Sequence, residues 1–112
     1  MNLTKNNSLR TEILKRIEEL DYKYSFLVED ASERNMTIKP ERISKYIKGK
    51  SGGITEEQLI WLATRLGIYI NLNFGKPVFD KGKITYQITP YNEAEALTKL
   101  NQLFPPKTNK NG

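Results

Sequence analysis

The 112-residue chain contains no cysteine and no histidine. Without cysteine there is no disulfide, no thiolate metal site and no catalytic thiol. Without histidine the usual general base, the usual zinc ligand and every Ser-His or Cys-His pairing are missing. Carboxylates do not fill the gap. Glu56 and Glu57 are adjacent rather than three or four residues apart, so they share no helix face and make a poor acid–base pair. Gly49-Lys50-Ser51 lacks the earlier glycine and the preceding strand of a phosphate-binding loop. No apolar run approaches the roughly 20 residues that cross a membrane. The opening MNLTKNNSLR has no apolar segment of the signal-peptide kind. These absences predict a cytoplasmic protein that is not an enzyme, holds no cofactor or metal and does not enter a membrane.

What is present is positive charge, and it is concentrated. The chain carries a net +5 and has a pI near 9.4. Between Thr37 and Gly53 stand Lys39, Arg42, Lys45, Lys48 and Lys50 against a single acid, Glu41, so this stretch alone carries +4. Such clustering makes a polyanion the natural partner.

Periodicity predicts a mainly α (α+β) fold: a helix-turn-helix bundle of four helices, then a β-hairpin and a C-terminal helix. Residues 1–8 read as a flexible, polar start. Helix 1 is expected over Leu9–Leu20, capped by Ser8, with Leu9, Ile13, Ile17 and Leu20 on one face. Helix 2 is expected over Ser25–Asn35, with Phe26, Leu27 and Ala31 on its apolar side and Glu29, Asp30 and Glu33 facing out. Helix 3 is placed at 38–48, with Pro40 in its first turn, Ile43, Tyr46 and Ile47 inward and Gly49 as its stop. Thr55-Glu56-Glu57-Gln58 is a capping box for helix 4, whose Leu59, Leu62, Ala63 and Leu66 form a buried stripe ending at Gly67. Tyr46 and Trp61 read as core rather than as stacking platforms.

Beyond Gly67 the period becomes 2. Ile68, Ile70, Leu72 and Phe74 alternate with polar residues, and so do Ile84, Tyr86 and Ile88. Asp80-Lys81-Gly82-Lys83 is the expected hairpin turn. Asn92 starts the last helix, which presents Leu97, Leu100, Leu103 and Phe104. The domain scheme is therefore 9–67 as a helix-turn-helix unit, 68–104 as a hairpin plus helix that packs on the same core or dimerises, and 105–112 as a flexible tail.

The run Ile43-Ser44-Lys45-Tyr46, then Lys48-Gly49-Lys50, then Thr55-Glu56-Glu57-Gln58-Leu59 and Leu62-Ala63-Thr64-Arg65-Leu66-Gly67-Ile68 resembles the Cro/Xre phage-repressor-like helix-turn-helix family over roughly residues 9–70. The resemblance implies a recognition helix, the loop behind it and the next core helix. It implies binding to double-stranded DNA, usually as a homodimer, in transcription regulation of the phage or mobile-element type. At matching positions, Lys39, Glu41, Arg42, Ser44 and Lys45 would meet base edges. Lys48, Lys50, Ser51 and the Gly52 backbone would hold phosphates, as would Lys23, Tyr24 and Ser25 at the start of helix 2. The rival reading is a structural or protein-interaction module, such as a phage structural component or an antitoxin-like binder, that keeps a helix-turn-helix core.

Overall fold

A computed structural model describes residues 3–50 and 53–106. The fold is mixed α+β and mainly α. A 3-10 turn, Leu3–Lys5, precedes α1 (Asn7–Leu20), α2 (Tyr24–Ser32), α3 (Pro40–Ile47) and α4 (Glu56–Arg65). Six short strands follow: β1 (Ile68–Ile70), β2 (Leu72–Asn73), β3 (Lys76–Pro77), β4 (Phe79–Asp80), β5 (Lys83–Ile84) and β6 (Tyr86–Ile88). Helix α5 (Glu93–Leu103) closes the chain. Among the described residues no helix is long and apolar enough to cross a membrane.

Local chemistry sets most helix ends. Thr55 and Gln58 form the complete reciprocal box at the start of α4, and Asn92 accepts the Glu95 N–H at the start of α5. Helices α1, α2 and α3 all finish alike, with one residue in the left-handed conformation and the next N–H reaching back five residues. The bonds are Tyr22 N–H to Ile17, Met36 N–H to Ala31 and Lys50 N–H to Lys45. Glycine supplies the left-handed residue only after α3. Asp21 and Asn35 supply it after α1 and α2, a conformation short polar side chains tolerate. That is why α2 stops at Ser32, short of the expected Asn35. Helix α1 starts two residues earlier than expected, capped by Asn6, whose side chain accepts the Leu9 N–H at 2.8 Å. Ser8 lies inside the helix and meets the Tyr86 hydroxyl at 2.5 Å. The polar start is anchored too, because Leu3 is fully buried against α4.

The core is one cluster. Leu9, Ile13 and Ile17 of α1 meet Leu27 and Ala31 of α2, Ile43 and Tyr46 of α3, and Leu59, Trp61, Leu62 and Leu66 of α4. Burying each Leu or Ile contributes about 2 kcal/mol. Ile38 is buried as well, at the end of the connection before α3 rather than within the helix.

The β segment differs most from the expected single hairpin. Strands β1 and β6 form a stem with Ile68 opposite Ile88, and two smaller hairpins, β2–β3 and β4–β5, branch from it. Asn71 holds the branch point: its N–H donates to Thr85 O and its carbonyl accepts from Val78 N–H, both at 2.9 Å. Each small hairpin turns on two positive-φ residues, Phe74-Gly75 and Lys81-Gly82, the twist that suits a two-residue loop. Phe74 is therefore not an inward strand residue. It occupies a turn and is 99% exposed. Ile88, although it pairs with the fully buried Ile68, is also exposed.

A polar seam joins the helical half to the C-terminal half. Asp30, expected on the outer face of α2, points inward and pairs with Arg65 Nε at 2.5 Å and Arg34 Nη1 at 3.0 Å. Arg65 also donates to the Tyr91 hydroxyl, Arg34 donates to Asn101 of α5 at 3.0 Å, and Arg16 donates to Thr89 O at 2.8 Å. Burial opposes the charge on Arg65, and hydrogen bonds and attraction from Asp30 and Tyr91 more than offset it. Burial likewise pushes the Tyr91 phenol up to about 12.

Two outcomes follow from this seam. Asp30→Ala leaves a buried guanidinium without its counter-charge and should cost about 3 kcal/mol in urea unfolding; a loss well under 1 kcal/mol would show the pair to be dispensable. Tyr91 binds its proton more tightly folded than unfolded, so its contribution is complete below pH 10 and disappears as pH rises to about 12. Urea midpoints measured across that window should fall in the parent protein and fall less steeply in Tyr91→Phe; equal slopes would contradict the assignment.

Candidate nucleic-acid interface

Helix α3 has two chemically opposed sides. Ile43 is fully buried and Tyr46 is 3% exposed, while Glu41, Arg42, Lys45 and Lys48 are exposed and Ser44 is half-buried. Burial pushes the Tyr46 phenol upward, although the nearby Arg10 opposes the shift. Lys39 is exposed as well, but it stands at the N-cap rather than inside the helix, since α3 begins at Pro40 instead of residue 38. Its carbonyl accepts the Arg42 N–H at 2.9 Å, which fixes the first turn. Lys39 and Arg42 line a shallow cleft of about 280 Å³ with Thr37, Gly53, Thr55 and Gln58. Gln58, already part of the capping box, donates its amide N–H to Thr37 O at 3.0 Å and so ties α4 to the entry of α3.

The far end of α3 is also cationic. Lys45 lies in the last turn, where the helix dipole favours positive charge. Lys48 and Lys50 follow, both exposed. Gly49 has φ +72°, and a Cβ there would sit 3.3 Å from Arg10 Cζ. Arg10 of α1 thus joins the cationic end of α3, a residue that no local sequence pattern pointed to. Ser51 and Gly52 lie outside the described residues. The chain resumes at Gly53 against the backbone of α3, where a Cβ would stand 3.2 Å from Tyr46 Cα and N. That close approach is the physical reason for glycine at 53.

The start of α2 is a separate place. Lys23 and Ser25 border a cleft of about 290 Å³ with Asp21, Tyr22, Phe26 and Glu29. Lys23 is the N-cap of α2, and Tyr24 packs half-buried against the core. A phosphate seated there would meet two carboxylates as well as one lysine. The structure therefore brings together Lys39, Glu41, Arg42, Ser44, Lys45, Lys48 and Lys50 on or beside α3, and it sets Lys23, Tyr24 and Ser25 apart on another element. The connection between α2 and α3, from Glu33 to Lys39, is seven residues long, against the three or four of a compact helix-turn-helix.

No protein-family model, no curated protein and no solved structure matches the chain.

Because Gly53 presses on the backbone of α3, Gly53→Ala should lower stability by about 1 kcal/mol. The same change should shift the amide resonances of α3 in a heteronuclear NMR spectrum. An unperturbed spectrum would mean that the loop does not set the position of the helix.

Proposed function

We propose that this protein binds double-stranded DNA through α3 and acts intracellularly as a transcription regulator. The observation that carries the reading is the division of α3, which buries Ile43 and Tyr46 and leaves Glu41, Arg42, Lys45 and Lys48 uncovered, with Lys39 at its cap and Lys50 just behind. A helix is narrow enough for the major groove, and its N-terminal half meets base edges there. In that pose Lys39, Arg42 and Lys45 donate to guanine edges, Glu41 accepts from a cytosine amine, and Ser44 is permissive. Lys48, Lys50 and Arg10 face the phosphates and set register without reading sequence. The carboxylates beside Lys23 and Ser25 make the start of α2 the weaker of the two phosphate contacts.

A second reading is a protein-interaction module that retains the helical core. The seven-residue connection between α2 and α3 favours it, because that segment sets how α3 docks.

Duplex-binding isotherms taken across a salt series separate the two. Neutralising about four phosphates gives a log–log slope of about −3.6. Arg42→Ala and Lys45→Ala should each cost about 1–3 kcal/mol on the preferred duplex and narrow the gap between duplexes. Lys48→Ala should weaken all duplexes alike. A salt-independent or undetectable interaction would favour the protein-interaction module.

A further inference from the structure

Phe74 is the most exposed large apolar side chain described, at 99%. It sits at the first central position of a two-residue turn with φ +52°, where asparagine, aspartate or glycine is the usual occupant. Local turn chemistry gives no reason for a phenyl ring there, and the chain's own core does not take it up. Beside it lies a cleft of about 430 Å³ walled by Ile60, Leu72, Leu103 and Phe104, with the carboxylates of Glu56 and Glu57 also lining it. Gly75 and Lys76, the residues next to Phe74 in sequence, form another part of that wall. The ring therefore projects from the edge of a cavity that it does not enter. Among the described residues neither carboxylate and no hairpin lysine takes part in an ion pair.

We infer that Phe74 enters this cleft on a second copy of the chain, and that the reciprocal insertion forms a two-fold homodimer. A phenyl tip followed by a lysine suits a cleft that has an apolar wall of Ile60, Leu72, Leu103 and Phe104 and a net negative charge, two glutamates against its own Lys76. Tip and cleft are adjacent on each molecule, so one two-fold axis engages both pairs at once, which is the requirement for a self-complementary interface. Leu103, 42% exposed on its own chain, becomes covered in the same contact. The inference does not depend on DNA, and its test contains none.

Sedimentation equilibrium of the full chain reads it directly. The parent protein should dimerise at concentrations up to about 100 μM, and Phe74→Asn should weaken dimerisation by at least about tenfold. Asparagine suits the left-handed turn, so the thermal midpoint of that variant should hold or rise, which separates lost association from lost folding. Glu57→Lys and Lys76→Glu should each be monomeric alone, because every contact across the axis becomes like-charged. Mixed in equal amounts they should form a one-to-one heterodimer, in which both contacts are restored. A monomeric parent protein, or a Phe74→Asn variant that associates as well as the parent, would overturn the inference.

Discussion

The helix that carries the cationic face is seated, through α2, by a charge cluster that faces inward. Asp30 lies between Arg34 and Arg65, and through them α2 is fixed to α4 and to α5. Tyr91 closes over the same guanidinium, and Tyr22 and Phe26 place their rings within 5.6 Å of it. A buried ion pair of this kind adds little net stability compared with an apolar replacement, yet losing one partner is costly. Its effect here is positional. Helix α3 packs on α1 and α2, so a change in the seating of α2 would tilt the cationic face.

The placement of charge follows from that arrangement. Arginines 16, 34 and 65 are turned into the fold: Arg34 and Arg65 pair with Asp30, Arg65 also donates to Tyr91, Arg34 to Asn101 and Arg16 to the Thr89 carbonyl, while Arg16 Nη1 and Arg34 Nε stay buried without a hydrogen-bond partner among the described residues. The lysines, more strongly hydrated and more flexible, stay outside. Most of them cluster between residues 39 and 50 or at the two hairpin tips. The acids divide as well. Asp30 is internal, Glu56 and Glu57 favour the N-terminus of α4, and Glu41 does the same for α3. The cationic face of α3 is thus left with one carboxylate of its own.

The elements decided by neighbouring residues were legible in the chain. The capping box at Thr55, the cap at Asn92 and the stripes of α1 and α4 all depend on spacings of three or four residues. Features decided across long separations were not. Asp30 reads as an exposed acid on a helix until Arg65, 35 residues away, is folded against it. Asn6 and Ser8 are equally good caps by type; the fold caps α1 with Asn6 and engages Ser8 with Tyr86, 78 residues away. Phe74 continues an apolar alternation, so periodicity assigns it to a strand, while the turn that claims it is marked only by Gly75. Within the candidate interface, the exposed cations of α3 were readable from composition and period. Arg10 was not, because only the packing of α1 beside the end of α3 brings it there.

The central claim is that α3 is the surface that meets nucleic acid. It is tested most directly by titrating isotope-labelled protein with a duplex and following every backbone amide by NMR. The account predicts the largest, salt-sensitive shifts at residues 39–50 and at Arg10, with little change around Asp30, Arg65 and Tyr91. Shifts centred on the polar seam or the hairpin tips, with α3 silent, would contradict it.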